Sequence, residues 1–306
     1  IAEHGADPAD DERRLRRLRE DVLVALATEG YFSPNIQTRP DLRERTRFVL
    51  AITLGPRATI VSVDIDLQGP IASDTNRMQS VRDRWALPVG QAFRDALWAN
   101  AKTRLLLHVS EKDYAAARIM DSSATVDVAK AQVALKVQID SGPPFKYGAL
   151  QIEGLERYPP ELIERLAPPQ QGAPYNADEL LAFQRRLQAT VFFTSAIVSV
   201  EPDPAMADAA PILVDLSEAK RKRLQLGAGY STDTGPRLEA TYRQAQVFSR
   251  PLVLQSGLGV DQKRSIVYSD LILPPRPSGA IDSIGGLFER ADIENVVTHR
   301  CGAGAA

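Results

Sequence analysis

Between Ala131 and Glu156 the chain alternates apolar and polar positions on both sides of a break, AQVALKVQIDSGPPFKYGALQIEGLE. Val133, Leu135, Val137 and Ile139 stand against Gln132, Ala134, Lys136, Gln138 and Asp140, the period of two that predicts a half-buried strand. Gly142, Pro143 and Pro144 end it, because proline removes a backbone donor and fixes φ. Leu150 and Ile152 then start a second strand. The same signals occur earlier: Phe48, Leu50 and Ile52 alternate, Gly55 and Pro56 break, and Ile60, Val61, Val63, Ile65 and Leu67 resume. A looser copy leads from Ile212, Val214 and Leu216 through Ser217 to Lys220 into Leu224, Leu226 and Ala228. The pattern predicts tandem modules in which the last strand of one leads into the first strand of the next.

Helical spacing fills the intervals. Leu15, Leu18, Val22 and Leu26 recur at steps of three and four, predicting a helix over Asp11 to Gly30 with Arg13, Arg14, Arg17 and Glu20 outside and Gly30 as its cap. A short strand near Ile36 and a strand from Arg45 to Leu54 follow. The next module reads as strand Ala58 to Leu67, polar helix Asn76 to Trp85, and helix Gln91 to Val109 with an apolar stripe of Phe93, Leu97, Ala101 and Leu105. Strands Ala117 to Val126 and Ala131 to Ile139 close it, giving the order β-α-α-β-β. The third module repeats that order with Leu150 to Gly154, helices Pro160 to Leu166 and Asn176 to Phe193, and strands near Ile197 and Leu213. Asn176 followed by Glu179 marks a helix start, and Leu180, Phe183, Leu187 and Val191 form its buried stripe. One constant offset carries Gly90 and Phe93 (GQAF) to Gly172 and Tyr175 (GAPY). Tyr31, Tyr114 and Phe192 close the long helices and are followed at equal distance by Ile36, Ile119 and Ile197. Such self-similarity is the signature of one supersecondary unit copied along a line.

From Arg221 the helical patterns stop. Leu224, Leu226, Ala228 and Tyr230 alternate with Arg223, Gln225, Gly227 and Gly229; after the turn-rich STDTGP, Leu238, Ala240 and Tyr242 alternate with Arg237, Glu239, Thr241 and Arg243. That is a hairpin, and Leu252, Leu254, Leu258 and Val260 continue it. Apolar-out, polar-in segments of about ten residues describe a transmembrane barrel strand, and equally a soluble antiparallel sheet.

Composition narrows the rest. With 306 residues, 44% apolar and 25% charged, the chain can hold two or three small cores. Its formal net charge of −2 favours neither nucleic acid nor an anionic surface. The run RRLRRLR is interleaved with Glu12, Glu20 and Asp21 and reads as a solvated helix face. No apolar run has the length of a membrane helix, and the acidic start IAEHGADPADDE holds no signal peptide. The one cysteine, Cys301, is expected to lie idle in a frayed terminal CGAGAA. His4, His108 and His299 lack partners at metal spacing, with His108 expected as a helix-end residue. No G-x-S-x-G elbow occurs. Asp64 and Asp66 share the solvated face of a strand, the glycine pairs after Gly227 and Gly257 precede no helix, and Trp85 and Trp98 suit helix-sheet packing. No catalytic, cofactor or metal site is expected.

The β-α-α-β-β repeats, GYSTDTGPRLEATYR (Gly229 to Arg243) and GGLFERADIEN (Gly285 to Asn295) together resemble the outer-membrane assembly family, in which periplasmic POTRA repeats precede a β-barrel. Within it the resemblance is to the translocation and assembly module branch, the TamA-like proteins. It covers nearly the whole chain, although the Arg-Gly-Phe loop that the family places late in the barrel is absent. The resemblance implies an α+β chain divided into a partial first POTRA (1–56), a second (57–142), a third (143–220) and the first strands of a transmembrane antiparallel β-barrel (221–306). The residues after Lys220 have room for about six strands of roughly ten residues, fewer than the eight or more of closed bacterial barrels, so the chain is expected to be a fragment cut at both ends with an open apolar edge.

The same resemblance implies a bacterial outer-membrane protein with its POTRA repeats in the periplasm, no enzyme, and no nucleotide, metal or other cofactor. It implies a role in inserting or translocating outer-membrane proteins such as autotransporters. The implied partners are nascent outer-membrane proteins, a periplasm-spanning TamB-like protein and the lipid bilayer, without nucleic acid. By the family's pattern the fourth element of each repeat is the open edge: Ser33 to Pro40, Ala117 to Val126 and Ala196 to Glu201. Arg118, Ile119, Ile197, Ser199 and Val200 are the expected partner-binding positions, with a plain core role left open for Ile119 and Ile197. Leu224, Leu226, Ala228 and Tyr230 form the first barrel strand, which in the family makes a weak seam with the last. With no energy source in view, insertion would draw on burial of the client's own apolar surface. Alternatives are a two-partner secretion pore, which normally carries two POTRA repeats, and a soluble POTRA scaffold, which predicts no hairpins after Arg221. An α+β enzyme would need a convergent polar site that the sequence does not show.

Overall fold

A computed structural model describes residues 8–40, 48–232, 234–248, 250–276, 280–293 and 296–305, in two compact units, Ile1–Pro144 and Phe145–Ala306. His4 and the first residues of the strand expected from Arg45 lie outside the described residues.

The first unit opens with α1 (Pro8–Thr28). It ends because Gly30 takes a φ of 90° and, with Tyr31, returns N–H groups to the Ala27 and Leu26 carbonyls at 3.0 and 2.9 Å. Its stripe is less covered than expected, with Leu15, Val22 and Leu26 half-buried and Leu18 exposed. The strands β1 (Asn35–Pro40) and β2 (Phe48–Thr53) pair antiparallel.

The next five elements are β3 (Thr59–Gln68), α2 (Thr75–Asp83), α3 (Asp95–Ser110), β4 (Arg118–Asp127) and β5 (Gln132–Asp140). The sheet order is β3-β5-β4, with β3 parallel and β4 antiparallel to the central strand. Val133, Leu135, Val137 and Ile139 face the helices and are fully buried. In β3 a bulge between Ile60 and Ser62 shifts the phase, so that Ile60 joins Val63, Ile65 and Leu67 on the inner face and Val61 turns outward. The α3 stripe differs from expectation: Trp98, Ala101, Leu105 and Val109 are buried, whereas Leu97 is exposed and Phe93 precedes the helix. Steps of four overshoot a turn and drift round the helix, whereas mixed steps of three and four hold one face. Asp74 starts α2 by accepting the Arg77 N–H at 2.9 Å.

The second unit begins with β6 (Tyr147–Glu153), α4 (Glu161–Glu164), α5 (Ala177–Gln188), β7 (Phe193–Val200) and β8 (Ala210–Glu218), again as β6-β8-β7 with the same directions. α4 is shorter than the expected Pro160 to Leu166 because Ala167 precedes a proline and takes a positive φ of 52°. α5 stops at Gln188, where the β-favouring run Thr190 to Thr194 begins, so Val191 lies beyond the helix and only half-buried. Asn176 caps it, its Oδ1 accepting the Asp178 N–H at 3.0 Å.

The glycine-to-aromatic motif has one job in both modules. Gly90 donates to the Ile60 carbonyl (2.8 Å), Ile60 to Gln91 (2.9 Å) and Phe93 to Ala58 (2.9 Å). In the copy, Gly172 donates to Tyr147 (2.7 Å), Tyr147 to Ala173 (2.9 Å) and Tyr175 to Phe145 (2.9 Å). Each motif thus pairs with the outer edge of its module's first strand. Gly90 and Gly172 have open space around them but φ of 89° and 82°, so the turn conformation requires glycine there.

Beyond β8 the chain forms a six-stranded antiparallel sheet in sequence order: β9 (Lys222–Ser231), β10 (Gly235–Gln244), β11 (Val253–Val260), β12 (Arg264–Ile272), β13 (Ser283–Ile293) and β14 (Val296–Ala305). Cys301 to Ala305 of the run CGAGAA are therefore no frayed tail: Cys301 sits in β14 opposite Phe288. Ladder pairing orders even a stretch of small residues that has no hydrophobic period of its own.

Candidate strand-receiving edges and membrane face

Strand register sorts the six-stranded sheet into two unlike faces. Leu226 opposes Ala240, which opposes Leu258, then Val267, Phe288 and Cys301. On this outer face Leu224, Leu226, Tyr230, Leu238, Leu258, Val260, Val267, Ile284 and Phe288 are all exposed, several by more than 60%. A contiguous apolar patch of that kind marks a surface meant for something other than water. The opposite face carries most of the charges, those on the outer face, Lys222, Arg290 and Asp292, standing near strand ends. Glu289, only 13% exposed, lies between Arg264 (2.6 Å) and Arg300 (3.7 Å), Arg237 pairs with Glu239, and Arg243 Nη2 donates to Gln255 Oε1 at 3.1 Å. Glycines make room for large neighbours on that face: the Tyr268 ring lies over Gly257, and Asp270 over Gly285.

The expected first barrel strand, with Leu224, Leu226, Ala228 and Tyr230, is β9 at one edge of this sheet; β14 is the other edge. All four side chains lie on the outer face and are exposed.

The two POTRA-like sheets each have an edge strand away from the glycine motif. Arg118 and Ile119 stand at the start of β4, where Arg118 pairs with Asp140 at 3.5 Å and Ile119 is half-buried against the module's core. Ile197, Ser199 and Val200 lie on β7. Ile197 is 56% exposed, so its match to Ile119 fails: Ile119 opposes Ile139, whereas the inward residue of β7 opposing Leu216 is Ala196. Bulges in both strands shift the phase, and a shift of one residue reverses the face.

The joint between the third module and the six-stranded sheet is built by residues that no sequence pattern singled out. Glu218 Oε1, at the end of β8, accepts the N–H groups of Glu156, Arg157 and Tyr158 at 3.0, 2.8 and 3.3 Å, and its Oε2 accepts Arg157 Nε at 2.5 Å. Burial works against the Glu218 charge, but these donors together outweigh it and hold the carboxyl below its ordinary pKa. Arg157 Nη2 also donates to the Ala219 carbonyl at 2.6 Å, and Tyr158 Oη to that of Ala245 at 3.2 Å. Tyr147 anchors α5, its phenol donating to the Asn176 carbonyl at 2.7 Å and accepting the Asn176 N–H at 2.9 Å; burial pushes its pKa up to about 12.

The other polar residues stay apart. His108 lies 3.7 Å from Glu111, its carbonyl accepting from Arg77, and His299 stacks on Phe288. Asp66 accepts from Gln68 and Gln138 while Asp64 is exposed. Trp98 is buried edge-on to Trp85, whose Nε1 donates to the Leu87 carbonyl. Among the described residues no group of His, Cys, Asp and Glu could hold a metal.

No protein-family model matches the chain. Among solved structures, BamA from Haemophilus ducreyi lacking POTRA domains 1–3 superposes with a TM-score of 0.64 at 17% identity over 81% of this chain, which spans 46% of that BamA chain. POTRA3–5 of Haemophilus influenzae BamA (TM-score 0.47, 18% identity, 71% of this chain and 84% of that one) and CdiB from Acinetobacter baumannii (0.43, 14%, 96% and 56%) also match, less closely in shape. The chain thus has an α+β fold like that of the truncated BamA, POTRA-like modules followed by an open six-stranded antiparallel sheet.

Proposed function

We propose that this chain is the POTRA-bearing and leading-barrel part of a bacterial outer-membrane protein that inserts or translocates other outer-membrane proteins. The observation that carries this is the two-faced sheet: an exposed apolar outer face and a charged inner face directly follow POTRA modules. A soluble scaffold would have no use for that outer face. The repeats stand in the periplasm, divided as 1–56, 57–142 and 143–220, and residues 221–306 lie in the bilayer. Nascent outer-membrane proteins, autotransporters among them, offer extended segments to the β4 edge at Arg118 and Ile119 and to the β7 edge at Ile197, Ser199 and Val200. Main-chain hydrogen bonds supply the affinity there. The strand Leu224 to Tyr230 is the insertion seam, and a TamB-like partner spans the periplasm, as in TamA-like proteins. No catalytic chemistry is required.

Reconstituted in vesicles, the protein is expected to speed the folding of an unfolded outer-membrane barrel protein; an unchanged folding rate contradicts the assignment. A neighbouring pair of substitutions tests the membrane face. Leu226→Arg puts a charge on the outer face in mid-strand and is expected to cost about 2–4 kcal/mol of insertion. Gln225→Arg, on the inner face, should cost less than about 1 kcal/mol. Vesicle co-sedimentation in a urea series reads both, and equal losses would remove the membrane from the proposal.

A further inference from the structure

Helix α5 serves the free edge of β7. Val198 donates its N–H to Gln184 Oε1 at 2.9 Å, and Gln188 Nε2 donates to the Ala196 carbonyl at 2.9 Å. Backbone groups of alternate residues point to opposite edges of a strand, so both groups lie on the edge facing away from β8. They are adjacent rungs of the ladder that an incoming strand would build. A glutamine amide both accepts and donates, so two of them satisfy these rungs as a peptide backbone would.

The second module lacks the device. Buried Trp98, Ala101 and Leu105 of α3 match Leu180, Phe183 and Leu187 of α5 at one constant offset, which puts Lys102 where Gln184 stands and Leu106 where Gln188 stands. An ammonium cannot accept a hydrogen bond, and leucine can neither accept nor donate one. Lys102 Nζ instead reaches Ser122 Oγ at 3.2 Å and lies over the Trp98 ring. Among the described residues no side-chain hydrogen bond occupies the backbone of β4.

We infer that, of the edge strands of the two three-stranded modules, β4 stands ready to receive a strand, and that β7 receives one only after Gln184 and Gln188 release it. The occupant is an extended polypeptide segment of alternating character, whose inward side chains prolong the row of Ile119, Ala124 and Val126 packed on the core. This rests on the strand-addition reading proposed above. Two partly exposed neutral hydrogen bonds weigh roughly ten- to a hundredfold in affinity for a competing strand.

The test titrates a synthetic peptide with the alternating sequence Arg264–Ile272 into the whole chain in detergent and reads amide exchange of β4 and β7 separately. In the parent protein the peptide should slow exchange in β4 first and leave β7 unchanged until its concentration is ten- to a hundredfold higher. In the double variant Gln184→Ala, Gln188→Ala it should also protect β7, at ten- to a hundredfold lower peptide concentration than the parent requires. Gln184→Glu with Gln188→Lys keeps an acceptor and a donor and should stay closed, which separates the latch from any loosening of α5. Protection of β7 in the parent equal to that in the alanine variant overturns the inference, as does an unprotected β7 in the alanine variant while β4 is protected. Those results leave strand addition standing. No protection of either strand in any of the three proteins removes strand addition itself, and the latch with it.

Discussion

Replacing Phe183 by alanine is expected to destabilise the third module by about 3–5 kcal/mol. The ring is fully buried at the centre of α5, in a cluster with Tyr147, Leu162, Ile163, Leu187, Ile212 and Val214, and Arg186 lies over its face. Amide exchange of β8 should accelerate by roughly two to four orders of magnitude, while β5 in the other module stays unchanged. The second module shows how the same space can be filled differently. Its α3 carries Trp98 and Ala101 where α5 carries Leu180 and Phe183, and all four are buried, so the large residue has moved one helical turn. Adding Leu180→Trp to the alanine variant should therefore recover part of the loss, since cores tolerate volume-conserving exchanges. A single-variant loss below about 1 kcal/mol would mean that Phe183 is not the keystone of this core.

The sequence made the repeat visible because each module buries one face of a sheet, and burial imposes a period. Val133 to Ile139 could be placed on the inner face from alternation alone, and the apolar rows of β9 and β10 on the outer one. What failed was phase. Val61 and the bulges in β4 and β7 each insert a residue and reset the phase, so that Ile197 faces outward although the repeat matches it to the half-buried Ile119. Phe93 failed for a related reason: its spacing suits a helix, but its N–H is already committed to Ala58, so the helix starts later.

The candidate sites were less legible than the fold. That the fourth element of each repeat is an edge strand came from resemblance, and the structure places β4 and β7 at sheet edges. Gln184 and Gln188 read as ordinary polar positions on the outside of a helix; only the nearness of the β7 edge gives them a role. Glu218 was equally silent, because the three N–H groups it gathers lie about sixty positions earlier in the chain. The glycine motif shows the opposite case. Its spacing was visible, yet its function, closing the outer edge of the first strand, is a property of pairing that no spacing states.

Glu218→Ala is expected to cost about 2–4 kcal/mol at neutral pH, less than breaking a fully buried pair because the Arg157 side chain remains one-third exposed. The substitution leaves three N–H groups and a guanidinium without their shared acceptor, and it frees the chain where β8 leads to β9. Glu218→Gln keeps the shape but not the charge and should lose roughly half as much. The pH dependence separates this from a packing effect. The folded carboxyl has a lowered pKa and the unfolded one its ordinary value, so the unfolded chain binds the proton more readily. The charge therefore stabilises fully above the ordinary carboxylate range, and its contribution fades as pH falls through the depressed value. Urea unfolding followed through the near-ultraviolet signal of Tyr147, Tyr158 and Tyr175 should show the parent and Glu218→Gln far apart near pH 7 and converging as the solution becomes acidic enough to protonate Glu218. A gap that persists unchanged at acid pH would assign the loss to shape, and the joint would then be held by Tyr158 and its hydrogen bond to Ala245 rather than by the carboxylate.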